Sequence, residues 1–80
     1  MRIEVKLFAV LKENIGETVE LEVPEPATVS GLLDTFVTAY PQFASAKASL
    51  NVAVDHAYSP EDQPIAPGQE IAIFPPVSGG

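Results

Sequence analysis

Only one stretch of this sequence repeats its apolar residues with the period of an α-helix. Val29, Leu32, Leu33, Phe36, Val37 and Tyr40 stand at i, i+3, i+4, i+7, i+8 and i+11, which draws one apolar stripe down one side of a helix. Thr28 is suited to cap its start, and Pro41 stops it by restricting the residue before it. The predicted helix covers about 13 residues, or about 20 Å. A one-sided helix has to bury its stripe against another element, and the rest of the chain offers mainly strands. Gly31 falls inside the helix, where it costs about 1 kcal/mol relative to alanine, and close packing is the only compensation the sequence suggests.

The other apolar residues alternate. From Arg2 to Val10, Ile3, Val5 and Leu7 share one face and Arg2, Glu4, Lys6 and Phe8 the other, the period of a half-buried strand. The stretch "KENIGE" reads as a turn with Gly16 at positive φ, after which Val19, Leu21 and Val23 alternate again and close a hairpin. Pro24 and Pro26 end that strand, having no N–H for a ladder. After a loop, "PQFASAKAS", Leu50, Val52 and Val54 form a third strand, and Asp55-His56 turns it into a short piece at Ala57-Tyr58. Glu70 to Phe74 closes the domain, with Ile71 and Ile73 inward and Ala72 and Phe74 outward. This order predicts an α+β fold of the β-grasp (ubiquitin-like) kind, a mixed sheet with one helix packed on one face. Residues 1–74 form the domain and residues 75–80 an extended tail. If the first and last strands lie side by side in parallel at the centre, that tail leaves from the middle of the sheet.

Composition narrows the chemistry. Eighty residues make one small domain, and 46% hydrophobic residues with a mean hydropathy of +0.18 are too apolar for a disordered chain despite eight prolines. With no cysteine, the chain has no disulfide, thiolate metal site or thiol nucleophile of its own. No apolar run approaches the roughly 20 residues of a membrane span, and the N-terminus alternates instead of forming a signal core, so a cytoplasmic protein is expected. Eleven acids against four bases give a net charge of −7. Such a surface repels nucleic acid and suits either solubility or docking to basic proteins. His56, the one histidine, sits in a turn and assembles neither a metal site nor a triad. Glu13, Glu17, Glu20, Glu22, Glu61, Asp62 and Glu70 read as solvated surface. No phosphate-binding loop is present, so ATP chemistry is not expected from this chain alone.

The tail is different. "FPPVSGG" cannot extend a ladder at Pro75-Pro76, and the prolines favour an extended backbone that carries the remaining residues outward. Six extended residues reach about 20 Å. Gly79 and Gly80 lack Cβ atoms and fit a channel too narrow for other residues. A Gly-Gly end alone is compatible with a floppy terminus. After a β-grasp pattern and a proline exit, a reactive terminal carboxylate is the stronger reading. A carboxylate is a poor electrophile and has to be activated, for example as an acyl-adenylate, before a nucleophile displaces the leaving group.

These residues resemble a known family. The whole chain is similar to the ubiquitin-like sulfur carriers, and "IAPGQEIAIFPPVSGG" resembles the end of the small subunits of molybdopterin synthases; "KLFAVLKE", "TVSGLL" and "NVAVD" match the first strand, helix start and third strand. The resemblance implies an ATP-dependent activating enzyme that adenylates Gly80 and a sulfur donor protein whose sulfur replaces AMP to give a thiocarboxylate. It implies, too, a large synthase subunit that receives the tail, in a heterotetramer, and builds the molybdopterin dithiolene. No bound cofactor or metal is implied, ATP being used through the activating partner. The candidate catalytic residue is Gly80, and the candidate partner-binding residues are Phe8, Phe74, Pro75, Pro76, Val77, Ser78 and Gly79. Alternation places Phe8 and Phe74 on the outer face as exposed neighbours at the tail's exit, an apolar patch on an otherwise acidic surface, unless both rings fold over a loop into the core. A carrier for thiamine or tRNA thiolation and a covalent protein modifier are the alternative functions.

Overall fold

The computed structural model describes residues 1–76. The elements run β1 (Arg2–Leu7), α1 (Ala9–Ile15), β2 (Thr18–Glu22), α2 (Val29–Ala39), a 3-10 helix (Pro41–Ser49), β3 (Asn51–Val54), β4 (Ala57–Tyr58) and β5 (Ile71–Phe74). The five strands form one mixed sheet in the order β2-β1-β5-β3-β4. β1 pairs with β2 antiparallel and with β5 in parallel, so the last strand of the chain lies at the sheet's centre. This is the ubiquitin-like β-grasp fold.

Alternation builds the core. Ile3, Val5 and Leu7 of β1, Ile71 and Ile73 of β5, and Val52 and Val54 of β3 all point to one face, where they meet Val29, Leu32, Leu33 and Phe36 of α2. Phe36 is fully buried and is flanked by Tyr40 and Phe43 at ring-centroid distances of 5.3 and 6.0 Å. No polar or charged side chain is buried among the described residues, so the core asks for no internal polar pairing. Thr28 caps α2, its hydroxyl accepting a hydrogen bond from the Gly31 N–H at 3.1 Å, which satisfies one of the orphan donors of the first turn.

Two expectations are corrected. "KENIGE" is not a bare turn: β1 stops at Leu7, and Ala9–Ile15 forms a second helix that closes at Gly16, whose N–H donates to the Lys12 carbonyl at 2.9 Å. Ala9 at φ 54° turns the chain out of the strand, and the reward is Leu11, fully buried at one end of the core. Gly16 does take the expected positive φ, at 131°. The segment expected as a loop after Pro41 is a 3-10 helix, which buries no residue fully and holds Phe43 against the core. The sheet therefore carries two helices and a 3-10 segment, not one helix.

Candidate functional site

β5 ends at Phe74, and Pro75 and Pro76 follow. Because β5 is flanked by β1 and β3, the chain leaves the sheet from its middle. Val77, Ser78, Gly79 and Gly80, which include the candidate reactive residue, lie outside the described residues.

Around this exit stand three aromatic rings. Phe8 caps the end of β1 in extended backbone and is 48% exposed. Its ring meets that of Phe74 edge-on, with centroids 6.0 Å apart and planes at 85°, an arrangement that aromatic quadrupoles favour. Phe74 also touches Tyr58 of β4, centroid to centroid 5.2 Å, and Tyr58 is 72% exposed. The two phenylalanines are thus neighbours on the open side of the sheet, and neither folds into the core. Tyr58 was not read from the sequence as part of this group. β4 is two residues long, too short for alternation to reveal a face. The pairing register supplies what the sequence did not: Tyr58 stands opposite Ala53, Ala53 opposite Ala72, and Asn51 opposite Phe74.

On a surface that is acidic as a whole, the charges immediately beside the rings are mixed. Glu70 Oε2 lies 3.5 Å from both Lys6 Nζ and His56 Nε2. His56 sits in the β3–β4 turn, where Asp55 and His56 take φ of 50° and 70°, the paired positive values of a type I′ hairpin. Asp55 holds the turn in place, its carboxylate accepting hydrogen bonds from the Glu70 N–H at 2.9 Å and Gln69 Nε2 at 3.2 Å. Of the other acids, Glu20 and Glu22 pair with Arg2, Glu22 and Glu25 lie near the N-terminal amine, and Glu17 lines a hollow with Phe8, Lys6 and Lys12. Among the described residues no group of three or more His, Asp or Glu side chains converges as a metal site, and no helix is long and apolar enough to cross a membrane. At the tail's exit the described residues present an aromatic face beside the Lys6–Glu70–His56 ion cluster.

A small β-grasp sheet whose last strand is central and hands its tail outward beside exposed rings defines a ubiquitin-like domain. The chain belongs to the ThiS family, whose profile matches residues 5–80. It is 38% identical over 86 aligned residues to small archaeal modifier protein 1 of Haloferax volcanii, covering 96% of this chain and 99% of that one. It is 37% identical over 81 residues to the molybdopterin synthase sulfur carrier subunit of Dictyostelium discoideum, covering 96% and 94% of the two chains. The crystal structure of the Haloferax protein matches the whole of both chains at 35% identity with a TM-score of 0.81.

Proposed function

We propose that this protein is a sulfur carrier, charged as a thiocarboxylate on Gly80, that donates sulfur to a pterin precursor to form the molybdopterin dithiolene. The observation that carries the reading is the central position of β5, which sends the Pro75-Pro76 tail out beside the Phe8–Phe74 pair. A partner that docks on the rings receives the tail at a fixed distance and direction. The relative named a sulfur carrier subunit supports the sulfur chemistry.

In this reading an activating enzyme binds ATP, and the Gly80 carboxylate attacks its α-phosphorus as pyrophosphate leaves. Sulfur from a donor protein then takes the place of AMP at the acyl carbon. The charged tail enters the large subunit of molybdopterin synthase, gives its sulfur to the pterin, and returns as a carboxylate. The chain works in the cytoplasm and binds no cofactor of its own.

Intact mass tests this reading. Incubation of the full chain with activating enzyme, ATP and sulfur donor is expected to raise its mass by the difference between sulfur and oxygen, and deletion of Gly80 is expected to abolish the gain. A Gly80-deleted chain that still restores molybdoenzyme activity in a deficient cell overturns the proposal. A second reading, covalent attachment of Gly80 to lysines of other proteins, is favoured by the 38% identity to small archaeal modifier protein 1. Gel-shifted conjugates that vanish with Gly80 deletion are its signature.

A further inference from the structure

Ala72 and Ala53 stand directly opposite each other on the two central strands β5 and β3. Both point to the open side of the sheet, because Ile71, Ile73, Val52 and Val54 occupy the core side. Two methyl groups in the middle of a sheet leave a depression where the neighbouring positions carry longer side chains. Tyr58 rises on the β4 side and Lys6 on the β1 side; Phe8 and Phe74 close the end nearest Pro75, and Glu70 and His56 close the other. The result is a socket with an alanine floor, three aromatic walls and one ionic end.

The ionic end is balanced internally. Glu70 is shared between Lys6 and His56 at 3.5 Å from each, so it turns no uncompensated negative charge toward an occupant, on a protein whose net charge is −7. An apolar floor and walls with the one acid already partnered suit an aliphatic side chain better than a cation, which would have to shed its water without a free counter-charge.

What covers the socket follows from the reach of the tail. The four residues Val77 to Gly80 follow Pro76 and extend at most about 14 Å. A protein that takes sulfur from Gly80 therefore has to lie against the Phe8–Phe74 end of the socket. We propose that the socket receives an aliphatic side chain of that protein, seated on the Ala53 and Ala72 methyls beside the touching rings of Tyr58 and Phe74. The proposal rests on the sulfur-carrier reading and adds to it a floor whose small size sets partner specificity.

Three variants of the full chain test it by titration against the purified large subunit of molybdopterin synthase from the same cells, with thermal unfolding measured alongside. Ala72→Leu fills the floor. Tyr58→Ser removes one wall from an exposed position, and Ala39→Leu adds the same bulk at the exposed end of α2 as a control. Ala72→Leu and Tyr58→Ser are each expected to weaken binding by roughly tenfold or more, the size of a lost interface anchor, with Ala39→Leu unchanged. Should Ala72→Leu fail to fold, Tyr58→Ser decides, since β4 is a two-residue edge strand outside the core. Wild-type affinity in a folded Ala72→Leu, or in Tyr58→Ser, overturns the socket and leaves the sulfur-carrier reading standing. A wild-type chain that does not bind the large subunit overturns both. Self-association of the wild type that Ala72→Leu abolishes makes a second copy the occupant and overturns the proposal.

Discussion

Gly31 shows how far one residue departs from what its helix would prefer. A Cβ placed there would meet Thr28 Oγ1 at 3.5 Å and Val23 Cγ1 at 3.7 Å, ordinary contact distances with no backbone in the way. The close packing expected to justify the glycine is therefore absent. Gly31→Ala is expected to stabilise the protein by about 0.5 kcal/mol through the smaller entropy of its unfolded chain, read as a higher denaturant midpoint at constant slope. A loss of stability would mean that the Thr28 cap is disturbed. Phe74 has the opposite character, since its half-buried ring packs against Phe8 and Tyr58 on the open face while Ile73 beside it is fully buried. Phe74→Ala is expected to cost partner binding about 2 kcal/mol, as aromatic anchors do, with little change in melting temperature. A large fall in melting temperature at unchanged affinity would move the docking face elsewhere.

At the level of elements, α1 carries the clearest test. Its only fully buried side chain is Leu11, yet that residue closes one end of the core. Leu11→Ala is expected to destabilise by about 2–5 kcal/mol, the cost of an unfilled core site, and a loss below about 1 kcal/mol would show that the end of the core collapses to fill the space. The same helix marks where the sequence stopped being legible. β1, β2, β3 and β5 show alternation, and α2 repeats its stripe over three turns, so their faces were readable. α1 spans seven residues and offers a single i, i+4 pair, Leu11 and Ile15, too little period to distinguish it from a turn rich in Lys, Glu, Asn and Gly. The 3-10 helix has no fully buried residue and hence no stripe at all. In the candidate site, Phe8 and Phe74 were visible because each extends an alternating run. Tyr58, the alanine floor and the Lys6–Glu70–His56 cluster depend on which strands lie side by side, and only the register supplies that.

Over the whole molecule, charge and topology set behaviour that no single residue does. The acids outnumber the bases by seven and are exposed, and the exposed ion pairs among them contribute little each. Raising the ionic strength from about 0.01 to about 0.5 M shortens the screening length several-fold. It is expected to raise the melting temperature by relieving self-repulsion; a fall would mean that the surface pairs outweigh it. Topology acts on the tail. β1 and β5 run parallel, so the amino end of one and the carboxyl end of the other lie at opposite ends of the same ladder. Tension between Met1 and the tail then loads the β1–β5 rungs together in shear, with the β3–β5 ladder sharing the load, whereas a tail hung from an edge strand would let the rungs open one after another. A partner that draws the tail into a narrow channel is thus pulling on the mechanically stiffest part of the fold, and the domain behaves as a handle that does not unravel when its end is tugged.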